Sequence, residues 1–508
     1  MDVEQFKEDV RQGRIGLDRL ADLLVSALRQ LEEAKRRIQE LEEQLKQSPT
    51  VKLEEPYSVA AEEKRQAARG KKARKPKRSK RKRRGRIKNA EKIAQAVRTE
   101  PVYPEGVAPE ECWRSHTRPV WRLEDGQAVL VAYDIYRGPK NQYGKIPGVL
   151  GRSEFGLEIF VTIAHLVYIV GLSFDKVCQL LNFFQNLTLR KSQVDALLNQ
   201  LSRHWEDEFE TLCTLLANSA VVHADETSWS LNSVWAFLSE QVRLLLFGVP
   251  KDAATLEQIL DPATFLGVLI SDDAAVYRNF TQSQKCWAHL LRKAIKLTLL
   301  DPDVEEYRHL TDRLLEIYRK ACRVQRDKRL SDAGRSARVA ELDDEVLALA
   351  APIWAAELPP HQEGSLEDYR LLCNELMRLL LDQQLFVFVT APPTTAPNGE
   401  TQAVAGTNNE SERTLRGPAM ARATGRTNKT VRGARRQTVI TSVLESTRQY
   451  LLDFTLTTLL AEIERWTTRG RSCFTDQLNK LKRAGQGEFQ ETETSVLDAL
   501  LPLPAGNQ

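Results

Sequence analysis

From residue 17 the chain repeats an apolar side chain every seventh position, at Leu17, Leu24, Leu31, Ile38 and Leu45, with Leu20, Ala27, Ala34 and Leu41 between them. A stripe this narrow, with charges kept outside it, predicts a coiled coil over 1–49. The flanking chain is too polar to cover the stripe, so a homodimer or higher homo-oligomer is expected. Between 100 and 150 prolines become frequent, and PVWRLEDGQAVLVAYDIYRG alternates apolar and polar residues around Asp125 and Gly126. That pattern predicts a small hairpin region.

From 151 to 218 the periodicity is helical. The segment SFDKVCQLLNFFQNLTLRKSQVDALLNQL reads as helix, short turn, helix, with Ser173 and Ser192 as N-caps. Such a pair can be a helix-turn-helix reader of DNA or an ordinary piece of helical packing. The apolar run 159–174 is shorter than the roughly 20 residues a membrane span needs and is flanked by Glu158 and Asp175. It predicts a buried helix, and no membrane partner. Strand-like runs follow at 221 (VVHA), 233 (SVWAFL), 243 (RLLLFG) and 265 (FLGVLI), with a helix near 252–260. Three strands, a helix and a further strand begin a mixed α/β sheet over 219–300. Asp225 is expected to end the first of these strands and Asp272 the last. Charged helical segments and a turn-rich loop fill 301–400, a helix carrying Glu412 falls in 401–450, and a helical tail closes the chain over 451–508.

Composition adds one asymmetry. The net charge of the 508 residues is only +4, yet 71–88 holds 13 of the 73 basic residues and no acid, so 60 basic residues face 69 acidic ones elsewhere. Lys71, Lys72, Arg74, Lys75, Lys77, Arg78, Lys80, Arg81, Lys82, Arg83, Arg84, Arg86 and Lys88 repel one another in any compact form. The linker 50–99 therefore reads as disordered alone and as a sequence-independent binder of phosphate backbones. Seven scattered cysteines without a C-x-x-C pair, and an acidic N-terminus unlike a signal peptide, point to reduced thiols in the cytoplasm, with nucleoid association through the basic run. Cys112 and His116 have metal-ligand spacing but no second pair nearby, so no zinc is expected.

The chemistry resides in carboxylates. HADET at 223 holds Asp225 and Glu226, SDD at 271 holds Asp272 and Asp273, and NNESER at 408 holds Glu410 and Glu412. Three acids from separate elements suffice to hold two Mg²⁺ ions, or Mn²⁺ in their place, because hard cations take oxygen ligands and keep several waters. Neighbouring acids diverge in both strand and helix, so only one of each pair can join such a cluster, and the residue types leave the choice open.

Four motifs in order, HADET at 223, GVLISDDAAVY at 267, CWAHLLRK at 286 and NNESERTLRG at 408 followed by GRTN at 425, resemble the insertion-sequence-66 transposase family over roughly 150–450. The resemblance implies an α/β fold: a ribonuclease-H-like mixed-sheet catalytic core with a helical insertion, preceded here by a helical domain and an N-terminal coiled coil. It implies Asp225, Asp272 and Glu412 as catalytic metal ligands. It also implies DNA, both transposon ends and target, as the partner, with accessory proteins of the same element. Two positions depart from the family pattern: Asp273 stands where a glycine is usual, and Thr407 where an aspartate is. His289, Asn408 and Asn409 are expected to support the site, the asparagines by capping Glu412's helix. Arg413, Arg416 and Arg426, with Lys429, Arg432, Arg435 and Arg436 beyond, are expected to meet phosphates. Rival readings are a nuclease of the same fold without strand transfer, and a DNA-binding regulator whose metal site is idle.

Overall fold

The computed structural model describes residues 88–354, 364–397, 399–484 and 495–503, together with Glu32, Lys35 and Arg36. Those three are helical, exposed and off the heptad stripe; the rest of the expected coiled coil, and the basic run through residue 87, lie outside the described residues. The chain divides into units 1–86 and 87–508, and the second contains all that follows.

Strands β1 (Arg98–Val102), β2 (Trp113–Glu124) and β3 (Gln127–Arg137) form a sheet in the order β1-β3-β2. The β2–β3 turn places Asp125 at φ 49° and Gly126 at φ 76°, the two positive values that a tight hairpin demands. The apolar run that follows is not one continuous helix. It is buried and α-helical over Leu157–Ala164, widens to a π turn at His165–Ile169, and ends at Gly171, whose φ of 78° an L side chain rarely adopts. Ser173 caps the next helix, Phe174–Gln185, accepting from the Lys176 N–H at 3.3 Å. Ser192 caps nothing: the helix Lys191–His204 starts a residue ahead of it, with Arg190 at the N-cap position and the Gln193 side chain accepting the Arg190 N–H at 3.0 Å.

The central sheet contains β4 (Val221–Ser228), β5 (Ser233–Leu238), β6 (Arg243–Val249), β7 (Val268–Ser271) and β8 (Ser283–Lys285), in the order β6-β5-β4-β7-β8. β5 runs antiparallel to both β4 and β6, whereas β7 is parallel to β4 and to β8. Asp225 does not end β4. The strand continues to Ser228 because its antiparallel partner β5 extends the ladder beyond the last pair made with β7. Nor does the apolar pattern announce β8, whose three residues are polar and buried. Gln284 makes that burial tolerable, its amide donating to the Lys285 and Leu385 carbonyls at 2.7 and 2.9 Å while its oxygen accepts from the Phe388 N–H at 3.0 Å.

The two faces of this sheet join different cores. Val222, Ala224 and Leu269 pack with the helices of 157–216 and 431–466. Val221 and Ile270 pack with a bundle inserted after β8, made of helices Trp287–Leu300, Glu305–Arg326, Asp332–Trp354 and Ser365–Leu381 around Trp287, Leu314 and Leu376. Among the described residues no helix is long and apolar enough to cross a membrane.

Strand β6 would be an open edge, but the helix Val431–Tyr450 lies along it. Thr438, Ser442 and Ser446 accept the N–H groups of Phe247, Leu245 and Arg243, each at 2.9 Å, and the two serines return bonds to the Leu245 and Arg243 carbonyls at 3.2 Å. Four helical residues rise about 6 Å and two strand residues about 6.6 Å, so hydroxyls spaced by four match backbone groups spaced by two.

Candidate active site

Strand register sets the first two acids side by side. The β4–β7 pairs run Val221↔Val268, Val222↔Leu269 and His223↔Ile270, so counting on two residues in each brings Asp225 level with Asp272, which lies just past the end of β7. Alternation along β4 gives Asp225 the sheet face of Val221 and turns Glu226 to the other. The helix Asn409–Ala423 packs on β4 and β5 and brings in Glu412.

Partners divide two of the ambiguous pairs; in the third, Glu410 and Glu412 are each held by an arginine. Glu226, with a side chain only 2% exposed, is bound by Lys251 at 2.5 Å and by the Tyr277 hydroxyl. Asp273 is bound by Arg378, and Glu410 by Arg243. Asp225 accepts the Glu226 backbone N–H at 2.9 Å, and Asp272 accepts that of Ala274 at 3.0 Å. Burial, then the charge of Glu226 and those of Asp272 and Glu412, push the Asp225 carboxyl up to about 7. These carboxylates therefore sit within electrostatic reach of one another.

Glu412 is partly engaged, with Arg292 at 2.5 Å and His289 Nε2 at 3.6 Å. Among the described residues no three Asp, Glu, His or Cys side chains are gathered as the ligands of one ion in this arrangement. The donor set itself suits a hard divalent cation: all three groups offer oxygen, and a cation offsets the burial and repulsion that hold Asp225 above the ordinary carboxylate range.

Asn408 occupies the N-cap position of Glu412's helix and Asn409 its first turn, but the Asn408 side chain is not used on that helix's N–H groups. It is fully buried and reaches β4, donating to the Ala224 carbonyl at 2.7 Å. Its oxygen accepts the Ser411 hydroxyl at 2.8 Å and lies 3.2 Å from His223 Nδ1, and its backbone N–H meets Cys286 Sγ at 3.1 Å. Burial lowers the pKa of His223. Lys285, one residue before Cys286, donates to Ser271 at 3.1 Å, and burial brings its ammonium down to about 8.

Of the basic residues, Arg413, Arg416, Arg426, Lys429 and Arg432 are exposed. Arg435 and Arg436 are not available to phosphates: both are buried, Arg435 on Glu206 and Asp498, Arg436 on Asp195 and the Tyr168 hydroxyl. Lys88 is exposed at the start of the described unit. Lys251, Tyr277, Arg243, Arg378 and Arg292 escaped sequence reading. Two of them carried a signal there: Tyr277 closes the motif GVLISDDAAVY, and Arg292 stands one helical turn beyond His289 in CWAHLLRK.

No curated protein matches the chain. Residues 152–436, which include all three carboxylates and every partner named for them, match the sequence model of the family described as Transposase IS66 family. That match spans more than half of the 508 residues, and the chain belongs to the IS66 family of transposases.

Proposed function

We propose that this chain is a metal-dependent DNA transposase, which hydrolyses the ends of its element to free a 3′-hydroxyl and then joins that hydroxyl to target DNA. The observation that carries the reading is Asp225, level with Asp272, facing the helix of Glu412 and pushed up to about 7 by burial and by its acidic neighbours. We read the sheet order β6-β5-β4-β7-β8 as a ribonuclease-H-like core, with the helices after β8 as its insertion.

Asp225, Asp272 and Glu412 would hold two Mg²⁺ ions, or Mn²⁺ in their place, which when bound activate a water or 3′-hydroxyl and stabilise the leaving oxygen. Glu412 exchanges its bond to Arg292 for this task. Asn408 holds Glu412's helix to the strand of Asp225, and His289 stands beside Glu412. Arg413, Arg416 and Arg426 contact phosphates, as does the basic run 71–88, while the heptad segment pairs subunits across two DNA ends. Accessory proteins of the same element are further partners, and the chain acts on nucleoid DNA in the cytoplasm.

The test uses DNA carrying the sequences that flank the gene as candidate ends. Wild-type protein with Mg²⁺ should cleave them, and Asp225→Asn, Asp272→Asn and Glu412→Gln should each lower the rate by about 10³-fold or more while leaving DNA binding intact. Full activity in any of the three defeats the assignment. Cleavage without joining of pre-cut ends would mark a nuclease, and binding without cleavage by the wild type a regulator.

A further inference from the structure

A cavity of about 720 Å³ opens on the far side of Glu412's helix, within the range of roughly 300–1,000 Å³ typical of small-ligand sites. Its walls are the π turn and Gly171, strand β6, the helix Asn409–Ala423, and the loop leading into the helix Val431–Tyr450. A π turn is rare in ordinary helices and recurs beside functional sites.

Four features of the lining specify a ligand. Phe174 gives it a half-buried aromatic ring with Arg436 5.5 Å from the ring centre, while Phe247 behind it is only 2% exposed. The Thr441 hydroxyl, in a residue only 5% exposed, is buried without a hydrogen-bond partner among the described residues. Arg426 and Lys429 stand exposed at the mouth, bonded to the Gly171 carbonyl and the Thr427 hydroxyl rather than to acids. Gly417 sits in the middle of Glu412's helix, where glycine is less favourable than alanine, and a Cβ there would meet nothing within 4 Å. No part of the described fold explains that glycine by close packing, whereas something entering the cavity would.

We propose that this cavity receives one unpaired nucleotide of a DNA strand, its base against Phe174, a polar edge on Thr441, and its phosphate between Arg426 and Lys429. Aromatic faces accept any base, and cations at the mouth suit the backbone. Thr414, which lines the cavity, stands about 200° around the helix from Glu412, so roughly 10 Å of helix separates the cavity from the carboxylates. At about 3.4 Å per step the nucleotide lies some three positions from the reacting phosphate. This inference rests on the DNA substrate proposed above.

The experiment is photocrosslinking of the full chain, in EDTA, to a short oligothymidylate carrying one 5-iodouracil, with the crosslinked peptides mapped by mass spectrometry. Crosslinks are expected within 165–174, 243–249 and 414–441, and Gly417→Phe should reduce them about tenfold at unchanged melting temperature. Gly417→Leu serves the same test should the larger side chain lower the melting temperature. Crosslinks confined to other segments, absent altogether, or undiminished in the blocked variant overturn the proposal. Because the assay needs neither metal nor cleavage, a chain that cuts transposon ends yet crosslinks only elsewhere loses the cavity and keeps the transposase reading. Crosslinks in the cavity of a chain that never cuts do the reverse.

Discussion

Asn408 Nδ2 donates to the Ala224 carbonyl at 2.7 Å, joining the residue before Glu412's helix to the residue before Asp225. One buried amide thereby spans 184 residues of sequence. Asn408→Ala leaves that carbonyl and the Ser411 hydroxyl without their partner, each at a cost of about 1–3 kcal/mol. Unfolding in urea should show that loss. Single-turnover cleavage should fall by tenfold or more beyond it, since a misplacement near 1 Å can lower a rate about 100-fold. Ser411→Ala, which removes one bond and leaves the bond to the strand, should fall between this variant and the wild type.

Asp225 is held among like charges, so Asp225→Asn should stabilise the metal-free protein, on the order of 1–3 kcal/mol, while abolishing any stabilisation by Mg²⁺. Thermal melts in EDTA and in Mg²⁺ read both effects. A variant less stable than wild type in EDTA would show that Asp225 has a structural role beyond the charge cluster.

Ser442 both accepts from and donates to Leu245 at the centre of the hydroxyl series along β6. Ser442→Ala strands a buried N–H and a carbonyl, so the expected loss is about 1–3 kcal/mol, seen as a lower urea midpoint with an unchanged slope.

Asp343, in the inserted bundle, is pushed up to about 6 by burial and by Asp344. Its folded form therefore retains a proton that the unfolded chain has released above pH 3.8. Stability should fall as pH rises from about 4 to 6 and stay lower beyond. Asp343→Asn should flatten that part of the profile and melt higher at pH 7, which melting curves between pH 4 and 8 would show.

Salt reports on the basic run. Replacing Lys80, Arg81, Lys82, Arg83 and Arg84 with alanine should reduce the slope of log K against log salt by about 0.9 for each phosphate no longer neutralised, measured by fluorescence anisotropy on duplex DNA. An unchanged slope would remove 71–88 from the DNA-binding surface.

The hairpin and four strands of the central sheet could be read from the chain because local rules govern them. Asp125-Gly126 can turn where other pairs cannot, and apolar runs of four to seven residues need a sheet to bury them. Strand β8 could not be read, because Gln284 at its centre is tolerated inside through partners at Leu385 and Phe388, about 100 residues on. The same distance problem hid which acids carry partners, Glu412 with Arg292 among them. Glu226, Asp273 and Glu410 are taken by Tyr277, Arg378 and Arg243, pairings that only the tertiary fold creates. Motif order pointed to Asp225, Asp272 and Glu412; ion pairing separates Asp225 from Glu226 and Asp272 from Asp273 but not Glu412 from Glu410, which Arg292 and Arg243 hold alike. Arg435 and Arg436 show the opposite failure: a dense basic stretch looks like surface, yet two of its members are anchors inside the protein.

The series Thr438, Ser442, Ser446 is a surrogate strand, and its length is bounded by geometry. Helix and strand repeats differ by about 0.6 Å per rung, so a bond centred on Ser442 drifts little at its neighbours but would miss after one or two further steps. The positions four residues beyond either end, Ala434 and Tyr450, are given instead to packing, Ala434 in the core and the Tyr450 ring against Phe474 at 5.3 Å. With this flank of the sheet occupied by its own helix, β6 is closed to an incoming strand from another molecule. Two copies of this chain cannot therefore join by strand addition at this edge.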